Sequence, residues 1–219
     1  MGCIYIINDV YAQHYGAISL CLYQRFSVQC GFRCVAVCVR VVDICIELPC
    51  RVRQFCLSAV ISAMGAIAEY IDEKIDEKPL IVAPDKGAYP FAQEIAEILD
   101  CECTYLSKVR LGPDKVETRI VDVEGSSDET VNVDSVKGKK AFIIDDIIAT
   151  GGTIVNAVKI LKEYGAKSVD VCCVHPILVN GATMRIYAAG ANSLISTNSL
   201  SADSSRVSLA KSIANVLRD

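Results

Sequence analysis

Phe142-Ile143-Ile144-Asp145-Asp146-Ile147-Ile148-Ala149-Thr150-Gly151-Gly152-Thr153 is the stretch on which the reading of this chain turns. An apolar, strand-like run delivers two adjacent carboxylates. A short loop follows, and then Thr-Gly-Gly-Thr stands where a helix begins. Free backbone N–H groups, the helix dipole and two hydroxyls converge at such a point, which makes it a ready anion site. Glycines there let the backbone approach a phosphate closely. Paired carboxylates beside a phosphate cradle would repel the phosphate itself. They suit the hydroxyls of an attached sugar instead, or a magnesium ion. A sugar phosphate fits both halves of the motif. An ordinary Asp-rich strand end with a glycine-containing cap is the plainer alternative, and it leaves the conjunction of the two halves unexplained. No Gly-x-x-x-x-Gly-Lys-[Ser/Thr] stretch occurs, so a Walker-type nucleotide loop is not expected.

Outward from this stretch the chain alternates strands and helices. Spacing predicts a helix over 57–78, then a strand over 79–83 ending in the turn Pro84-Asp85-Lys86-Gly87. A helix follows over 88–99, with Phe91, Ile95 and Ile98/Leu99 on one face. Next come a strand over 101–106, a loop over 107–115 around Gly112-Pro113-Asp114, a strand over 116–123 and a polar turn over 124–130 like a hairpin tip. Beyond it lie a strand over 140–144, a helix over 153–164 closed by Gly165, a strand over 168–174, a helix over 182–189, a strand over 193–196 and a terminal helix over 207–217. Continuous Val/Ile runs between amphipathic helices imply an α/β fold, a parallel β-sheet flanked by helices on both faces. Ligands of such sheets bind at the carboxyl ends of the strands, where the informative residues cluster.

An apolar fraction of 52% with 22% charged residues describes a globular chain. The net charge of −4 argues against a nucleic-acid binder, which would carry a basic stripe. No apolar run reaches the 18 or so residues that span a bilayer, and the start shows neither a signal sequence nor a myristoylation signal, so a cytoplasmic protein without a membrane partner is expected. Residues 1–56 differ from the rest. They hold eight of the twelve cysteines, five Arg and no Lys, and they lack clear strand-turn-helix punctuation. Cys30, Cys34, Cys38 and Cys45 with His14 match no standard metal spacing. Cys101, Cys103, Cys172 and Cys173 fall in strand-like runs and read as small buried apolar residues. Two domains are therefore expected, an atypical Cys/Arg-rich segment over 1–56 and an α/β domain over 57–219.

The stretch around Asp145 resembles the phosphoribosyl-diphosphate motif of type I phosphoribosyltransferases and of their relative, the ribose-phosphate diphosphokinase (phosphoribosyl-diphosphate synthase) family. Ala83-Pro84-Asp85-Lys86-Gly87 resembles the synthase's strand-end loop, and Ser107-Lys108-Val109-Arg110 its flexible catalytic loop. Cys173-Val174-His175-Pro176 is similar to the archaeal branch of the family. The resemblance covers about 57–219, the C-terminal half of a synthase, and implies a type I phosphoribosyltransferase fold. It implies that Asp145 and Asp146 bind the ribose hydroxyls, directly or through Mg2+. It assigns Thr150, Gly151, Gly152 and Thr153 to the 5-phosphate, with Ala149 also substrate-binding, Asp85 to the metal and Gly87 to the diphosphate loop. Lys108 and Arg110 would stabilise the transition state as the anomeric hydroxyl of ribose 5-phosphate attacks the β-phosphorus of ATP, releasing AMP. From spacing alone those two are solvated loop cations. His175, directly after a strand, reads as structural.

The chain also departs from that family. An N-terminal half with Arg-Gln-Asp and Asn-Pro-His-Glu loops is not intact: Arg53-Gln54 is followed by Phe55, and His14 stands between Gln13 and Tyr15. A reading-frame change in an ancestral synthase gene would leave such a segment, with divergence into a lineage-specific cap as the rival account. Three functions follow: an active diphosphokinase, a catalytically inactive ribose-phosphate-binding or regulatory homologue, and a nucleobase phosphoribosyltransferase. The implied partners are ribose 5-phosphate and ATP, with a homo-oligomer or association with a full-length synthase as the implied assembly.

Overall fold

The structure is a computed structural model that describes residues 4–7, 20–28, 31–39, 57–110, 116–121 and 135–216, with side chains over 61–107 and 135–215. The chain divides into two compact units, residues 1–63 with 209–219, and residues 64–208.

In the first unit β1 (Ile4–Ile7), β2 (Leu20–Val28), β3 (Gly31–Val39) and β4 (Leu57–Val60) form one sheet in that order. β1/β2 and β2/β3 are antiparallel, the latter closing at Val28↔Gly31, and β3/β4 is parallel with Val35↔Leu57. Segments rich in Val, Phe and Tyr thus make strands that the missing turn signals had hidden. His14, Cys30 and Cys45 lie outside the described residues. The helix expected over 57–78 is corrected as well. Its first residues pair with β3, and non-local pairing overrides local helical spacing.

The second unit opens with α1 (Met64–Asp72), followed by β5 (Leu80–Ala83), α2 (Tyr89–Leu99), β6 (Glu102–Arg110), β7 (Val116–Val121), β8 (Lys140–Ile148), α3 (Gly152–Glu163), β9 (Ser168–Pro176), α4 (Ala182–Ala188), β10 (Ser193–Thr197) and β11 (Ser205–Val207). Helix α5 (Ala210–Val216) falls in the first unit. The sheet order is β11-β10-β9-β8-β5-β6-β7. Six strands are parallel, and β7 runs antiparallel to β6 at one edge. All four residues of β5 are buried, as are eight of the nine in β9, which requires cover on both sheet faces. The α/β reading from sequence therefore holds. The terminal helix expected from 207 begins later, because Ser205–Val207 adds a strand to β10. The expected hairpin tip over 124–130 lies outside the described residues.

Local chemistry sets the ends of the elements. α2 has Pro in its first turn, where a missing N–H costs nothing, and ends at Asp100 in the left-handed region. α3 ends before Gly165, whose φ of +81° suits glycine. Its inward face (Ile154, Ala157, Val158, Leu161) packs with Ile143, Val169 and Val171 in the core. Among the described residues no helix is long and apolar enough to cross a membrane.

Candidate functional site

The strand order reverses between β5 and β8. From β5 the chain crosses through α2 to β6 on one side; from β8 it crosses through α3 to β9 on the other. The two loops that leave β5 and β8 therefore diverge, opening a crevice at the carboxyl ends of neighbouring strands. The pairs Leu80↔Ala141, Ile81↔Phe142 and Val82↔Ile143 bring those ends together.

Asp85 lies in the loop after β5. Its Oδ1 accepts hydrogen bonds from the N–H groups of Gly87 (2.8 Å) and Ala88 (3.1 Å), fixing the turn into α2. A Cβ on Gly87 would stand 3.1 Å from that oxygen, a tight contact that would push the carboxylate back by a few tenths of an ångström. Asp145 and Asp146 end the apolar run of β8, and the strand continues through them to Ile148, further than the expected end at 144. Asp145 Oδ1 accepts from Asp146 N–H (2.9 Å), and Asp146 Oδ1 accepts from Ile147 N–H (2.7 Å). Both carboxylates are half-buried. Burial first, then the charge of Asp146 and more weakly that of Asp85, hold the Asp145 carboxyl well above the usual carboxylate range. The influence of Asp85 puts it in the electrostatic neighbourhood of the pair. The paired carboxylates thus lie towards the end of β8 at the switch point, with Asp85 on the loop that leaves the neighbouring strand β5.

Beyond Ile148 the chain turns through Ala149 and Thr150 into α3. Gly151 is the N-cap, at φ +74°, and no side chain caps the helix. The first intrahelical bond runs from Val155 N–H to Gly151 O (2.9 Å), while Gly152 and Thr153 stand exposed at the start of the helix. An uncapped helix N-terminus beside paired carboxylates can hold an anion at one end and hydroxyls or a cation at the other.

The donor set suits magnesium in a particular way. Among the described residues no group of three or more His, Cys, Asp or Glu side chains is arranged to hold a metal ion. Asp85 already commits one oxygen to two N–H groups. Mg2+ commonly keeps several waters and takes one or two carboxylates plus substrate oxygens, so the Asp145–Asp146 pair fits that ion better than a closed protein cage would.

Lys108 and Arg110 are strand residues, which corrects the expected loop over 107–115. They pair with Thr118 and Val116 of β7. β6 leaves its pairing with β5 at Tyr105, so with β7 it forms a two-stranded arm reaching about 17 Å past that point, at ~3.3 Å per residue. Extended pairing with β7 outweighs the turn signal of Gly112-Pro113-Asp114, which begins only after Arg110. The structure therefore joins Asp85, Asp145, Asp146 and the loop over 149–153, while Lys108 and Arg110 belong to the arm.

His175 lies inside β9, paired with Ile147, and is buried. Cys172 and Cys173 are buried, as expected; Cys101 and Cys103 are only half-buried. Burial pushes the Cys101 thiol up to about 11 and the Cys103 thiol to about 12, so both are inert thiols near neutrality. Sequence reasoning missed Arg185, whose Nη2 donates to Thr150 O (2.5 Å). It stands in an unremarkable helical pattern, and no local spacing connects it to the loop.

The family model for the phosphoribosyl transferase domain matches residues 57–190. A ribose-phosphate pyrophosphokinase of Methanothermobacter thermautotrophicus is 48% identical over 159 residues, 73% of this chain and 51% of that protein. One from Pyrococcus abyssi is 40% identical over 66% of this chain and 46% of its own length. The crystal structure of phosphoribosylpyrophosphate synthetase from Mycobacterium smegmatis superposes with a TM-score of 0.61 at 30% identity, covering 75% of this chain and 52% of that one. The chain spans about half the length of the curated relatives it matches.

Proposed function

The chain belongs to the phosphoribosyl transferase domain family, and from that premise we propose that it is a ribose-phosphate diphosphokinase that transfers diphosphate from ATP to ribose 5-phosphate. One observation carries this reading: a strand-borne carboxylate pair and an uncapped, glycine-headed helix follow one another at the switch point of a parallel sheet. Names borne by the relatives agree with it.

In this reading the N–H groups at the start of α3, with Thr150 and Thr153, hold the 5-phosphate, and Ala149 shapes the approach to them. Asp145 and Asp146 take the ribose hydroxyls and a magnesium ion. When bound, that ion would neutralise charge on the transferring diphosphate. Asp85 adds negative charge on the metal side and fixes the turn at Gly87, where the backbone meets the diphosphate. Lys108 and Arg110, carried on the β6–β7 arm, supply positive charge to the transferring group. Transfers of this kind depend chiefly on positioning and on neutralising developing charge. The anomeric hydroxyl attacks the β-phosphorus, the bond from that phosphorus to the oxygen bridging it to the α-phosphorus breaks, and AMP leaves with that oxygen. A cytoplasmic setting and assembly with further copies or with a full-length synthase complete the reading.

The test is to mix the chain with ribose 5-phosphate, ATP and Mg2+ and measure AMP. AMP formation abolished by Lys108→Ala supports a diphosphokinase. No AMP, with ribose 5-phosphate binding that disappears in Asp145→Ala, would leave a binding-only homologue.

A further inference from the structure

We propose that Arg185 is a positioning residue for the anion cradle, turning the backbone N–H of Gly151 towards the bound phosphate; this rests on the ribose-phosphate reading of the site. Three successive carbonyls of the loop after β8 are held by one segment of chain. Leu178 N–H donates to Ile148 O (2.9 Å), Val179 N–H to Ala149 O (3.0 Å) and Arg185 Nη2 to Thr150 O (2.5 Å). A peptide unit is planar and trans, so each carbonyl points opposite to the N–H of the following residue. With the carbonyls of 148, 149 and 150 all drawn to residues 178–185, the N–H groups of 149, 150 and 151 turn the other way. A row of N–H groups facing one direction is what an anion needs.

The third bond differs from the first two. Backbone donors hold Ile148 and Ala149, whereas a charged side chain holds Thr150, next to the left-handed cap where a peptide flip is easiest. A flip there would aim the Thr150 carbonyl dipole at the phosphate. α4 guards the same spot sterically. A Cβ on Gly151 would meet Ile186 Cδ1 at 3.2 Å and the Ala182 Cβ at 3.3 Å. Ala182, Arg185 and Ile186 are spaced i, i+3, i+4 and form one helix face, given over to this loop. Leu178 and Asn180 adopt positive φ (49° and 55°); asparagine takes this region readily, whereas at Leu178 it persists only where the surroundings hold it. Here the strained connection is what brings α4 back over the loop.

The experiment uses the full 15N-labelled chain titrated with ribose 5-phosphate, following binding and the Gly151 amide resonance. Wild type should bind with a downfield shift of that amide. Arg185→Gln should weaken binding by about tenfold, the scale of one charge-assisted hydrogen bond, and remove the shift. Arg185→Lys, which keeps a cationic donor, should restore binding to within about threefold. Arg185→Gln binding as tightly as wild type, or more weakly with the Gly151 shift intact, would overturn the proposal while leaving the site standing. Wild type that binds no ribose 5-phosphate, or whose binding survives Asp145→Ala, would remove the reading of the site, and the proposal with it.

Discussion

The Nδ1 atom of His175 lies 2.9 Å from the Oγ of Ser199, and that hydroxyl in turn donates to the carbonyl of Val174 at 2.8 Å. A carbonyl only accepts, so the one hydroxyl proton is committed to it and the imidazole must donate from Nδ1. Nε2 then carries a bare lone pair, buried and without a hydrogen-bond partner among the described residues. Ser199→Ala removes the acceptor and leaves a buried N–H. It is expected to cost about 1–3 kcal/mol in urea unfolding, the usual penalty for an unsatisfied buried donor.

Burial pushes His175 down to about 4 from its ordinary 6.5. The folded state therefore resists protonation that the unfolded chain accepts. The contribution of His175 is fully present above pH 6.5 and is lost as pH falls towards 4. At about 1.4 kcal/mol per pH unit, the loss across that window is about 3 kcal/mol. Asp145 acts with the opposite sign. Its raised value means that stability present at acid pH is lost as the carboxyl ionises. The His175 contribution is thus to be read as a difference: between pH 7 and pH 4 wild type should lose about 3 kcal/mol more than His175→Gln.

Asp145→Asn removes one of two half-buried adjacent carboxylates. In a chelator at pH 8 the variant should be more stable than wild type by about 1 kcal/mol, because a repelled, partly desolvated charge is gone. The gain should vanish near pH 3, where the wild-type carboxyl is already neutral. Mg2+-dependent binding of ribose 5-phosphate should fall in the same variant. Calorimetry of both properties checks the pair.

Gly151→Ala places a methyl against Ala182 and Ile186 at a φ of +74°. Backbone strain and contact add, and a loss of about 1–3 kcal/mol in thermal unfolding is expected. Ribose 5-phosphate affinity should fall with it, since the loop must shift to admit the methyl.

Lys108→Ala should lower the rate of AMP formation by about 100-fold or more, the range for removing one preorganised electrostatic stabiliser. Ribose 5-phosphate affinity, measured without ATP, should change little, because Lys108 sits on the β6–β7 arm and not on the β8–α3 loop.

Much of the site is legible in short stretches of the chain. The β8–α3 unit is a local pattern, in which an apolar run, two carboxylates and glycine at a helix start each act within a few residues. The turn at Asp85 is equally local, since its carboxylate bonds to N–H groups two and three residues on. Local spacing misleads where distant strands decide. Leu57–Val60 carries a spacing that serves a helix, and pairing with β3 made it a strand. Ser107–Arg110 precedes the turn signal Gly112-Pro113 in the sequence, and pairing with β7 made those four residues part of strand β6.

The sequence by itself determined the α/β alternation, the carboxylate pair at a strand end and the glycine-headed helix start, because φ/ψ preferences and side-chain periodicity operate over short windows. Only the tertiary structure decided that the charge of Asp85 reaches Asp145, that the buried His175 donates to Ser199, and that Arg185 holds Thr150. Each of these depends on the sheet order, with its reversal between β5 and β8, and on the crossovers that bring separate segments to the same edge. Hydrogen bonds and charges act through space at a few ångströms. No spacing along the chain records which distant segments the fold will bring within that range.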